Sequence, residues 1–223
     1  MPKDGWLLIP SKMKVEIWSD IACPFCYIGK RRFENALSKF SLKKNVEIEW
    51  KSYQLDPYFK PVLGQNIHQM LAEKKGWTEE HARELNNHVI NMAKEEGLNY
   101  KLDDIIPANT LNVHRVIHLA AKHGLQNEAE ERFFAAYFTE GRNLNSKEVL
   151  GELAVEIGLS FDEVEILLNG KEFADEVNKD GHEGAALGVR GVPFFVFDRK
   201  YAISGAQPEH LFLETMEKVV EGE

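Results

Sequence analysis

The chain holds two cysteines and no more, and they stand three apart in Cys23-Pro24-Phe25-Cys26. Two thiols at that spacing can close into a disulfide and reopen, passing two electrons to or from another dithiol. The thiolate is the attacking form, so what surrounds Cys23 decides whether the pair is reactive. Upstream, Met13-Lys14-Val15-Glu16-Ile17-Trp18-Ser19 alternates apolar with polar residues, which predicts a half-buried strand. Downstream, Tyr27 to Leu37 places apolar residues at helical spacing. Pro24 suits the first turn of that helix, where its missing N–H costs nothing. Cys23 is thereby predicted at a helix N-terminus, where unpaired N–H groups and the positive end of the dipole favour a thiolate.

Two other readings of the pair stay open at this point. It could be half of a zinc site, but tetrahedral zinc needs four ligands. The partners on offer, His114 and His118, lie four apart on a predicted helix. Or the cysteines could be inert, packed as small hydrophobes.

Composition narrows the classes. The 223 residues suit one large domain or a small domain carrying an insertion, and 43% hydrophobic with 28% charged residues is ordinary for a globular protein. A net charge of −9 argues against binding nucleic acid or anionic membranes, which need a basic face. No apolar run reaches the roughly 20 residues of a membrane span. Trp6-Leu7-Leu8-Ile9 is shorter than a signal-peptide core of about 7–15 residues, and Met13 is a plausible natural start. A cytoplasmic location follows as the expectation, and there a lone cysteine pair is catalytic or redox-sensing more often than structural.

The elements that must position the pair can be read in order. Val46 to Tyr53 alternates again and predicts a second strand, so strand, helix and strand form a βαβ unit with parallel pairing. Asp56-Pro57-Tyr58-Phe59-Lys60-Pro61 breaks the pattern. Residues 63–170 read as a helical bundle: Thr78 caps a helix to about Glu95, Asn109 caps another with a Val113, Val116, Ile117, Ala120, Ala121 stripe, and further helices cover about 127–139, 146–157 and 160–168. Ser160 with Glu163 matches a capping box. Lys171 to Leu187 is a further helix, followed by an apolar strand to Phe197, a polar turn, Tyr201-Ala202-Ile203 as an antiparallel partner, and a last helix entered through Pro208. Asp20 reads as a turn residue, and Lys30, Arg31 and Arg32 as a solvated face able to steer acidic substrates.

Gly191-Val192-Pro193 enters the apolar strand at Phe194. A proline there leaves nearby backbone groups outside the ladder, free to pair with an extended substrate, and a cis Val192–Pro193 bond is conceivable.

Together these features resemble the DsbA family of thioredoxin-fold oxidoreductases. The resemblance rests on Cys-Pro-Phe-Cys after a strand, a helical insertion, and Gly-Val-Pro-Phe-Phe before a strand. Trp18 to Gly29, Asn109-Thr110 with His114-Arg115, and Ser204-Gly205-Ala206-Gln207 are most similar to its FrnE-like subgroup. It implies an α/β thioredoxin fold, βαβ then αββα, split into residues 13–62 and 171–223 around an all-α insertion at 63–170. It implies an exposed nucleophile at Cys23, a more buried resolving Cys26, and a cis Pro193 facing them. Pro24, Phe25 and Val192 would meet substrate, with Asn109 or His114 nearby, although a capped helix with a polar face is the readier account of the last two.

Phe25 departs from the histidine found between the cysteines of the periplasmic oxidant DsbA, so a strongly oxidising couple is not expected. The redox-active Cys23–Cys26 disulfide carries the electrons; no metal or organic cofactor is expected, and glutathione is a conceivable co-substrate. Expected partners are protein dithiols and disulfides or low-molecular-weight thiols. The oligomeric state, a homodimer included, is left open by the sequence. A competing reading is a glutathione-dependent isomerase or transferase of the 2-hydroxychromene-2-carboxylate isomerase or kappa class, whose members resemble this chain in architecture but carry serine where Cys23 stands. A non-enzymatic reading is a chaperone that holds unfolded chains on an apolar surface near Pro193.

Overall fold

A computed structural model describes residues 12–222. The Trp6–Ile9 segment lies outside the described residues. The first alternating segment forms strand β1, Met13–Ser19, and Pro24–Lys39 forms helix α1 with Pro24 in its first turn. Strand β2, Val46–Ser52, pairs parallel to β1, with Met13 opposite Val46 and Ser19 opposite Ser52. The late strands are β3, Phe194–Phe197, and β4, Tyr201–Ser204. Strand β3 runs antiparallel to β1 and to β4, giving the sheet order β2-β1-β3-β4. Asp198 and Arg199, at φ 48° and 56°, turn the hairpin between them.

Alternation on β1 sends Val15 and Ile17 to one face of the sheet. There Phe33 and Ala36 of α1 meet Phe195 and Phe197 of β3, together with Phe212 and Met216 of the last helix, α9, Glu209–Glu221. All of these are buried. On the other face Trp18 packs with Val189 and Val196. Its indole N–H donates to the Asp180 carbonyl at 2.8 Å, from helix Ala174–Ala186.

Between β2 and that helix, six helices follow one another: α2, Ile67–Lys75; α3, Glu79–Glu95; α4, Leu111–Lys122; α5, Gln126–Phe138; α6, Lys147–Glu156; and α7, Phe161–Asn169. The helix of Asp180 is thus α8. The Thr78 side chain caps α3 by accepting from the His81 N–H. The N-cap of α4 is Thr110 rather than Asn109, but Asn109 Oδ1 accepts the Leu111 N–H at 3.0 Å and serves the same orphan donor. Ser160 does precede α7, yet its side chain makes no cap bond, so the capping box read there does not form.

The helical segment does not bury its apolar stripes by itself. Val113 and Val116 of α4, Phe133, Phe134 and Tyr137 of α5, and Leu150 and Leu153 of α6 share one continuous core with Ile21, Cys23, Cys26, Tyr27 and Ile28. The cysteine pair therefore sits on the seam between sheet and helices. Among the described residues, no helix is long and apolar enough to cross a membrane.

Candidate active site

Cys23 is the N-cap of α1, with extended φ −94° and ψ 111°. Its N–H donates to the Asp20 carbonyl at 2.9 Å, and its own carbonyl accepts the Cys26 N–H at 3.0 Å. Both sulfurs are free thiols. One turn of helix puts Cys26 behind Cys23.

The Cys23 thiol points at the Val192 carbonyl oxygen, 3.5 Å away. The Val192–Pro193 peptide is cis. Pro193 is buried, and the Gly205 N–H donates to its carbonyl at 2.8 Å, extending the β3–β4 ladder by one bond. Gly29 lets Pro193 approach α1: a Cβ there would lie 2.9 Å from Pro193 Cγ and 3.5 Å from Ala206. Cys23, Cys26, Val192 and Pro193 are thus brought together from the two ends of the chain.

Cys23 is not the exposed residue expected. It is 4% accessible and Cys26 is 1% accessible. The difference comes from the helical segment, which closes over the pair. Tyr100, between α3 and α4, donates its hydroxyl to the Pro24 carbonyl at 2.7 Å and holds the start of α1 against the insertion. Phe25 is the exposed member of the motif, at 39%.

What opens beside Cys23 is a cavity of about 610 Å³. Its walls are apolar side chains of the insertion, among them Ile67, Met70, Trp77, Val89 and Met92, with Phe25 and Phe59 from the thioredoxin part. Lys74 and Lys75 stand on it too; Lys74 is bonded to Asp56 at 2.6 Å.

Burial pushes the Cys26 thiol well above its ordinary pKa, and the neighbouring Cys23 sulfur pushes it further. Cys26 is therefore held as a thiol. Asp20, the residue read as a turn, is fully buried and makes the loop before Cys23 what it is. Its carboxylate accepts the Leu55 N–H at 2.7 Å and the Ala22 N–H at 3.2 Å, and lies 3.4 Å from His114 Nε2. Burial raises its pKa, but His114 and these bonds outweigh that and hold it below the ordinary value. His114, expected as a substrate contact or as part of a polar helix face, is a buried partner of Asp20 at 1% accessibility. Asn109 is likewise spent on the fold: its Nδ2 donates to the carbonyls of Pro57 and Phe59. Both side chains hold segments that flank the pair.

The basic run after the motif is not a solvated face. Lys30 is 1% accessible, bonded to Glu34 at 2.6 Å and to Glu131 of α5 at 2.7 Å. Arg31 joins the same two carboxylates, and Arg32 pairs with Glu96 and the Ala206 carbonyl. These cations clamp α1 to the insertion and to the β4–α9 turn, and none is left to steer substrate. His118 bonds Ser52 and Asp180, far in sequence from the cysteines and not converging on them.

The family model for the DSBA-like thioredoxin domain matches residues 14–217. The chain belongs to that family. A crystal structure of a probable DsbA oxidoreductase from Streptomyces coelicolor superposes on this DSBA-like chain with a TM-score of 0.88 at 41% identity, over 95% of this chain and 91% of that one. The uncharacterized protein YwbO of Bacillus subtilis (strain 168) is 27% identical over 202 residues, 89% of this chain and 92% of its own. The cytosolic disulfide reductase DsbM of Pseudomonas aeruginosa with GSH shares the DSBA-like fold at a TM-score of 0.65 and 17% identity, over 93% and 99% of the two chains.

Proposed function

We propose that this DSBA-like chain is a dithiol–disulfide oxidoreductase of the FrnE-like subgroup, working in the cytoplasm. The observation that carries the reading is the Cys23 thiol at the N-cap of α1, facing the Val192 carbonyl and opening on a cavity. Cys23, as thiolate, attacks one sulfur of a substrate disulfide and releases a thiolate, leaving a mixed disulfide on Cys23. Cys26 then gives up its proton, attacks the Cys23 sulfur and expels the second substrate thiolate. The product is the Cys23–Cys26 disulfide and a reduced substrate; the reverse sequence oxidises a dithiol. Both electrons travel through sulfur, so the cycle calls for no further cofactor.

The cavity defines what the substrate carries beside its sulfur. Apolar walls favour an apolar side chain or acyl group next to the reacting disulfide, on a peptide or a small molecule. The backbone at Val192 offers hydrogen bonds to an extended segment. Glutathione is proposed as a low-molecular-weight thiol that exchanges at Cys23, in line with the DsbM relative described with GSH. Both cysteines being present favours exchange over the isomerase and transferase chemistry of the serine-bearing relatives.

Insulin reduction by the wild type and by Cys23→Ala tests the assignment. Loss of activity in the variant is the expected result. Activity that survives Cys23→Ala would sink it, and glutathione conjugation that survives replacement of both cysteines by serine would favour the transferase reading.

A further inference from the structure

Cys23 is 4% accessible, and the cavity described above is the open side of its thiol. The lining grades from exposed to sealed. Phe25, Trp77 and Leu85 are exposed and mark the mouth; Leu102, Ile105 and Phe138 are buried and mark the depth. The buried polar side chains on it have little to offer a ligand. Asp20 is held by Leu55, Ala22 and His114, the Asn86 amide by His68 Nδ1 at 3.0 Å, and Thr110 brings one hydroxyl. A run of polypeptide drawn in would bury N–H and C=O groups without partners, which is costly. An aromatic ring or a branched hydrocarbon meets no such cost, and about 610 Å³ is the room of a compact small molecule.

Charge at the mouth adds a second requirement. Of the two carboxylates on the lining, Asp20 lies against His114 and Asp56 is bonded to Lys74 at 2.6 Å. Lys75, exposed in the last turn of α2, meets no carboxylate among the described residues. On a chain of net charge −9 this is a local excess of positive charge, and it favours an anion.

We infer that the exchange substrate is a small disulfide whose sulfur carries an aromatic or branched apolar group ending in a carboxylate. The sulfur meets Cys23 at the inner end, the apolar group fills the cavity, and the carboxylate faces Lys75 at the mouth. This rests on the exchange reading above and names its substrate class. The Cys23 thiolate attacks the nearer sulfur and the first substrate thiolate leaves. Cys26 then attacks Cys23, its proton ending in solvent, and the second thiolate leaves. The two protein thiols lose two electrons and the substrate disulfide gains them, so the reduced chain completes one turnover with no other reductant. Glutathione, polar along its length, exchanges without the contacts that the walls offer.

The test is single-turnover oxidation of the reduced full chain, followed by loss of protein thiols as disulfide concentration is raised. The probes are the disulfides of para-mercaptobenzoate and of the matching benzamide, glutathione disulfide, and insulin. Each rate is divided by that of N-acetylcysteine with the same probe, which removes intrinsic reactivity. The mercaptobenzoate probe should half-saturate at a concentration about tenfold or more below that of glutathione disulfide, with the benzamide between them. Lys75→Glu should raise the half-saturating concentration of the carboxylate about fivefold more than that of the amide, an effect that salt diminishes and that Lys75→Arg does not show. Met92→Trp, which takes up room in the cavity, should weaken both aromatic probes relative to glutathione disulfide. Exchange without preference for the aromatic probes, a faster normalised rate with insulin, or equal effects of Lys75→Glu on carboxylate and amide overturns the inference and leaves the exchange reading standing. Protein thiols that persist with every probe overturn the exchange reading itself.

Discussion

The Cys23 sulfur lies 3.5 Å from the carbonyl oxygen of Val192, across 169 residues of chain. The contact sets the entry to β3 against the N-cap of α1, beside the β1–β3 pairing that already joins the two ends of the chain.

Cys26 is held as a thiol behind Cys23 by burial. In Cys26→Ser the first attack is intact and the second is absent, so the Cys23–substrate disulfide should accumulate. Mass spectrometry of the variant after exposure to a disulfide substrate should find the adduct on Cys23 in most molecules, with turnover reduced by roughly a hundredfold or more. An adduct-free variant would mean that Cys23 does not attack first.

Gly29 is required by the approach of Pro193 to α1. An added Cβ would meet the Pro193 ring at 2.9 Å, and a ring cannot fold away as a long side chain can. Gly29→Ala should therefore cost about 1–3 kcal/mol by overpacking and move Val192 away from Cys23. Urea unfolding measures the first effect and the insulin-reduction rate the second. Equal stability and rate would show that the loop has slack.

Asp20 has a lowered folded pKa, so its stabilising contribution is present above its unfolded value near 3.8 and disappears as pH falls through the folded value. Asp20→Asn should lose about 1–3 kcal/mol at pH 7, because Leu55 N–H and His114 lose a charged acceptor. The two stability curves should converge in acid. A gap that persists at low pH would assign the loss to packing rather than charge.

Glu130 has the opposite sign. Its folded pKa of about 8 exceeds the unfolded 4.5, so the folded state holds the proton longer and stability falls as pH rises between those values. Glu130→Gln should remove that fall. Melting temperatures at pH 5 and pH 8 should differ less in the variant than in the wild type; an equal or larger difference would contradict a carboxyl that ionises inside the fold.

Phe25 stands exposed between the cysteines, where a histidine would add a cation next to the Cys23 thiolate. Phe25→His should make the couple more oxidising by about 30 mV or more, tenfold in the exchange constant. A redox titration against glutathione measures it, and an unchanged potential would remove Phe25 as the tuning residue.

Much of the fold was legible because its signals are local. The alternation in Met13–Ser19, Thr78 before an acidic first turn, and the Val113-Val116-Ile117 stripe each name an element from its own residues. The site was less so. Lys30 reads as solvated since it opens a basic run on a helix, and nothing nearby in sequence announces Glu131, about a hundred residues on, as its partner. Asp20 reads as a turn residue for the same reason, since its partner His114 lies 94 residues on. A helix period says which face a side chain is on, not what that face will meet.

By itself the sequence determined the chemistry: two cysteines at one spacing, a proline in the first helical turn to set Cys23 at the N-cap, and the order of elements that makes a thioredoxin sheet. Only the tertiary structure decided how that chemistry is enclosed. It closed the insertion over Cys23, opened an apolar cavity beside it, and brought Glu131 of α5 onto Lys30 and Arg31 of α1. Those outcomes depend on contacts between distant segments, and burial, which sets the charge of every group in the site, is a property of the packed molecule rather than of any stretch of the chain.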